Sequence, residues 1–198
     1  MQAKGEFYIS RRYTREDYYD CHMDSLNDQN WEKAMEIFDD RIRGRYLKPI
    51  HTLMHDPNCN GFTIMAIACL LVETLYQFRE GIDVTRHVGD SYVRFLTEEF
   101  DYFYNNEELA HHFYTDIRCG ILHSGQTKND AYLTVDHNQC FMENGHIVVS
   151  VRGFIRCLED YYHKYRYRIL RGNTCRADRL RQNFIRKMDY ICDGNRNA

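Results

Sequence analysis

The chain has 198 residues, of which 43% are hydrophobic and 28% charged, with only two prolines and 11 glycines. That length fits one domain, the balance excludes a wholly disordered chain, and the scarcity of breakers leaves long stretches free to be helix. The net charge of −3 conceals an asymmetry: residues 1–151 carry 14 basic against 24 acidic side chains, and residues 152–198 carry 12 against 5. A basic final quarter on an acidic body either meets polyanions or complements the acidic part internally.

In chain order, residues 1–30 have no clean period and are expected to form an irregular arm. Asp28 is placed to cap a helix from about Asn30 to Tyr46, in which Trp31, Ala34 or Met35, Phe38 and Ile42 recur at helical steps. Pro49 and Pro57 bracket a looser segment, and residues 1–60 are expected to pack as arm and helix on the bundle formed by residues 61–198. The most apolar helix runs from Phe62 to Arg79 and is closed by Gly81. Its continuous apolar run, Phe62 to Val72, stops at Glu73, short of the roughly 20 residues of a membrane span. The N-terminus shows no secretory signal, so a soluble cytoplasmic protein without membrane attachment is expected. The eight scattered cysteines are then expected to be free.

Two further helices are expected at about Asp90–Asp101 and from Glu107 to Ser124-Gly125. Residues 131–151 turn β-branched, and Asn144-Gly145 is a hairpin signal, so a small antiparallel insert of two or three strands is expected there. Two helices close the chain, about Arg152–Leu170 and Cys175–Cys192. The fold class is mainly α, a helical bundle with a small antiparallel β-hairpin insert.

The stretch that carries chemistry is Arg118-Cys-Gly-Ile-Leu-His123-Ser-Gly-Gln-Thr-Lys128. A permanent cation and an imidazole that titrates near neutrality suit phosphodiester cleavage: histidine moves the proton, and arginine stabilises the phosphate. On a straight helix five residues turn the chain about 140° beyond a full circle, so the pair does not share a face. Unwinding at Gly120, the length of the side chains, or a second subunit would have to close that gap. Glu73, an acid in an apolar helix, either pairs with a cation, Arg118 being the candidate, or lies at the solvent edge. Ser124 and Lys128 follow the histidine and either position phosphates or belong to an ordinary exposed loop.

The arginine-rich stretch with Arg166, Arg168, Arg171 and Arg179 has the composition of an RNA-facing surface. Leu158, Tyr161 or Tyr162, Tyr165 and Ile169 fall at core spacing, so those tyrosines are expected in the core. His51, His55 and Cys59 lack a fourth ligand and Pro57 breaks their spacing, so no metal site is expected. No phosphate loop, nucleophile elbow or dinucleotide fingerprint is present.

The segment IRCGILH, late on a core helix of an all-α bundle, resembles the R-x4-H motif of the HEPN superfamily, and the likeness covers roughly residues 60–190. The resemblance implies a metal-independent endoribonuclease without a cofactor, of the kind that serves as a toxin or antiviral defence effector. It implies a homodimer whose motifs face a shared cleft, and an antitoxin or activating partner protein. Arg118 would stabilise the phosphate and His123 would be the general acid and base, with Glu73, Cys119 and Ser124 in support. Cys119 departs from the Asn, His or Asp common after the arginine. The alternative is a non-catalytic HEPN-like module that binds RNA, a nucleotide or a partner protein.

Overall fold

Apolar side chains recurring every three or four residues bury one stripe of each helix, and the computed structural model is accordingly mainly α with a small β insert. It describes residues 7–23, 28–56, 61–135 and 138–193. Two compact units are interleaved along the sequence. One takes the described residues of Met1–His51, Gln77–Val84 and Lys164–Ala198; the other takes those of Thr52–Tyr76 and Thr85–His163.

In the first unit the expected irregular arm contains a short helix, α1 (Arg15–Tyr19). Thr14 and Asp17 cap it reciprocally: the Asp17 N–H donates to Thr14 Oγ1 at 3.3 Å, and the Thr14 N–H to Asp17 Oδ2 at 2.7 Å. Helix α2 (Asp28–Ile42) starts two residues before the expected Asn30, so Asp28 is itself helical. It passes through a π turn, Arg43–Leu47, into α3 (Lys48–Met54). The segment after Pro49 is therefore helical to Met54, whereas a looser path is expected from sequence; Pro57 lies outside the described residues. A proline ring crowds the carbonyl four residues back and offers no N–H. The π turn widens the backbone just ahead of it, with the Lys48 N–H reaching back five residues to Arg43 O. Trp31, Ala34, Met35, Phe38 and Ile42 are all buried. Phe38 meets Phe78 at 4.7 Å, Phe184 at 5.6 Å and Tyr165 at 5.8 Å between ring centroids, an aromatic core of the kind edge-to-face contact favours.

Helix α4 (Gly61–Glu80) supplies residues to both units. By length and composition it is long and apolar enough to cross a membrane, and half of its most apolar window is buried. Its end is as expected, with the Gly81 N–H donating to Gln77 O at 2.9 Å. In the second unit, α5 (Val88–Glu99) and α6 (Glu107–His112) pack about a second aromatic core. Phe113 stacks on Phe154 at 4.5 Å, and Phe95 meets Tyr161 edge-on at 4.9 Å.

The β insert holds β1 (Tyr132–Thr134), β2 (Cys140–Glu143) and β3 (His146–Ser150) in the order β1-β3-β2. Asn144 and Gly145, at φ +50° and +83°, make the expected β2–β3 hairpin. The insert is not wholly antiparallel: β1 runs parallel to β3, Tyr132 opposite Val148. The hairpin takes one edge of β3, and the chain reaches the other edge from the same end. Helices α8 (Val151–Arg171) and α9 (Cys175–Asp193) close the chain near their expected limits. Tyr161, Tyr162 and Tyr165 are core residues. The described cysteines are free.

Candidate active site

The motif follows from how the second unit's helix is interrupted. Asn106 caps α6 by accepting the Leu109 N–H at 3.0 Å, and the backbone then widens into a π turn, Phe113–Arg118, before α7 (Cys119–Ser124). Phe113 and Ile117 are wholly buried and fix this turn in the core. Arg118 leaves it to meet Glu73 of α4. Its Nη2 donates to Glu73 Oε2 at 2.9 Å, and its Nη1 lies 3.3 Å from His123 Nε2 and 4.0 Å from Cys119 Sγ. The guanidinium also sits over the Tyr114 ring, 5.6 Å from its centroid.

The arginine and histidine therefore meet within one chain. α7 stays helical through Gly120, so unwinding is not what joins them; the length of the arginine side chain closes the angular gap. Because a guanidinium can only donate, this contact is a hydrogen bond in the tautomer that carries its proton on Nδ1 and accepts at Nε2. Arg118 is 11% exposed and Glu73 22%, while His123 is exposed, so the cation is set deep and the imidazole stands at the surface. Burial works against the charge on Arg118, but the bonds to Glu73 and Cys119 outweigh it and hold its pKa above the ordinary arginine value. Burial and the neighbouring Cys119 thiol lift Tyr114 above the usual phenol range. Arg118 Nε is buried with no hydrogen-bond partner among the described residues.

The loop beyond the motif is strapped to the π turn. At Gly120 a Cβ would meet Gln126 O at 2.4 Å, so only glycine lets the returning chain cross α7 here. Asp116, 2% exposed, holds that loop: its carboxylate accepts from Asn129 Nδ2 at 2.8 Å and Thr115 Oγ1 at 3.0 Å, and pairs with His112 Nδ1 at 2.8 Å. Its backbone carbonyl takes the Lys128 N–H at 2.9 Å. Asp116 is absent from the candidates read from sequence. The signal was available, since it is an acid flanked by Phe113 and Ile117 in a helical stretch, the same signature that singled out Glu73.

Glu73, Cys119 and His123 thus gather on Arg118. Ser124, the exposed end of α7, and Lys128, exposed in the strapped loop, belong to the same unit. Arg166, Arg168, Arg171 and Arg179 belong to the other. There Arg166 Nη1 lies 3.3 Å from Asp39 and Arg171 Nη2 3.6 Å from Glu32, so those two arginines complement acidic residues of α2. Arg168 is half-buried and Arg179 exposed. Among the described residues no group of three metal-ligating side chains gathers; Cys59 lies outside them. No family model, no curated protein and no solved structure matches the chain.

Proposed function

We propose that the chain is a metal-independent endoribonuclease of HEPN type, acting in the cytoplasm as a homodimer in a toxin or antiviral role. The observation that carries this reading is the contact of Arg118 with His123 on one side and Glu73 on the other. When a phosphate takes over Arg118 Nη1, the single lone pair of His123 Nε2 is released and takes the proton of a ribose 2′-OH. The freed 2′ oxygen attacks phosphorus, the P–O5′ bond breaks, and O5′ takes a proton from water or from the second imidazole of a dimer. Arg118, locked by Glu73, meets the charge that develops on the phosphoryl oxygens without having to reorganise. The products are a 2′,3′-cyclic phosphate and a 5′-hydroxyl. Lys128 and Ser124, both exposed in the same unit, would take flanking phosphates. A second reading, a non-catalytic module that binds RNA, draws on the depth of Arg118 and on Cys119 in the position after it.

Incubation with mixed cellular RNA in EDTA, followed by analysis of the new ends, tests the proposal. Cyclic phosphate and 5′-hydroxyl ends are expected, and 2′-O-methylated RNA should resist. Ends bearing 3′-hydroxyl and 5′-phosphate, or cleavage that EDTA abolishes, would overturn it.

A further inference from the structure

In the first unit, Arg41 on α2 and Arg45 in the π turn that follows stand four residues apart, a spacing that brings like charges together on one helical face. Both point at the same acceptor. Arg41 Nη1 and Arg45 Nη2 each donate to the Ile9 carbonyl, the latter at 3.1 Å. Among the described residues neither arginine has an ion pair. Two guanidinium groups carry ten N–H donors, and one carbonyl oxygen offers two lone pairs. Arg41 Nε is buried and has no hydrogen-bond partner among the described residues.

These arginines line a cavity of about 220 Å³ with Phe7, Tyr8, Ile9 and Tyr190. On α9, Asp193 accepts from Tyr19, and neither it nor Asp189 forms an ion pair with Arg41 or Arg45 among the described residues. Burial, with Arg45 alongside, draws Arg41 down to about 10, and no carboxylate offsets this. Neighbouring arginines are compensated differently, Arg12 by Asp40 at 2.8 Å and Arg43 by Asp39 at 2.9 Å. Arg41 and Arg45 face their cavity with no such carboxylate among the described residues.

We infer that this cavity is a binding site for a phosphate group, seated between Arg41 and Arg45, with the remainder of the ligand against the Phe7, Tyr8 and Tyr190 side chains. A tetrahedral oxyanion supplies several acceptors at once, and planar guanidinium groups bind it with paired N–H donors. The cavity holds a phosphate with little more than a sugar beside it, which fits either free phosphate or the phosphate end of a nucleotide. The site is independent of the ribonuclease reading and stands or falls separately from it.

Calorimetric titration at fixed ionic strength, with inorganic phosphate, AMP and adenosine as the probes, tests it on the full chain. Saturable phosphate binding is expected, weakened about tenfold or more by Arg45→Gln, as for loss of a charge-assisted hydrogen bond. Arg45 is exposed, so this variant should keep the fold; Arg41→Met, which removes the buried charge, serves as the second. Tighter binding of AMP would identify a nucleotide as the source, and equal binding would identify free phosphate. No saturable phosphate or AMP binding, equal affinity in both variants, or adenosine binding as tightly as AMP would overturn the inference.

Discussion

Asp116→Ala should cost the protein about 3 kcal/mol, and the figure follows from what the carboxylate holds. Hydrogen bonds to a charged group contribute about 1.5–3 kcal/mol each, and Asp116 receives them from Asn129, Thr115 and His112. Asn129 is exposed and Thr115 half-buried, so both recover water when the carboxylate is lost, which brings a sum of three bonds down to about 3 kcal/mol. Against a typical total of about 5–15 kcal/mol that is a large fraction. Asp116→Asn keeps the shape but turns an NH₂ toward one of the donors, and should cost about half as much. Urea unfolding followed by circular dichroism gives both values, with the denaturant slope unchanged. The loop around Gln126–Lys128 should also become more sensitive to protease in Asp116→Ala. A loss below about 1 kcal/mol, with protease resistance kept, would show that Asp116 does not hold the loop.

Gly120→Ala places a methyl against the backbone of Gln126, Thr127 and Lys128, and should destabilise by about 1–3 kcal/mol in the same unfolding assay. Glu73→Leu strips Arg118 of its carboxylate and should cost about 3 kcal/mol and about a hundredfold in any RNA cleavage; Glu73→Gln, which keeps an acceptor, should cost less on both counts. Burial pushes the Cys69 thiol up to about 12 from an ordinary value near 9. Between those values the unfolded chain has lost that proton and the folded chain keeps it, so stability falls as pH rises, by about 1.4 kcal/mol per unit. Urea midpoints at pH 8, 9 and 10 should therefore fall above pH 9, and less steeply in Cys69→Ala.

Much of the helical plan was legible because it is written locally. Phe38, Phe184 and the tyrosines of α8 recur at helical steps, and Asn144-Gly145 tolerates the positive φ of a tight hairpin. The pairing of Glu73 with Arg118 was legible only as one of two readings, because an acid in an apolar helix either finds a partner or reaches the solvent edge. The π turns at Arg43–Leu47 and Phe113–Arg118 were not, since one extra residue in a turn leaves the apolar period almost unchanged. That omission also hid why Pro49 sits comfortably in a helix. The parallel pairing of β1 depends on which edge of β3 stays open, which no strand propensity encodes. The capping box of Thr14 and Asp17 was present in the sequence but lay in an arm with no period to draw attention to it. The straight-helix angle between residues 118 and 123 was sound as backbone geometry; it left out how far an arginine side chain reaches.

The central claim is that Arg118 and His123 together cleave RNA, and the most direct measurement compares cleavage rates of the unaltered protein with His123→Ala and Arg118→Ala on the same RNA in EDTA. Loss of about a hundredfold or more in each variant, with unchanged unfolding midpoints for His123→Ala, is the predicted result. Cleavage by His123→Ala at the unaltered rate would contradict it and return the motif to a structural role.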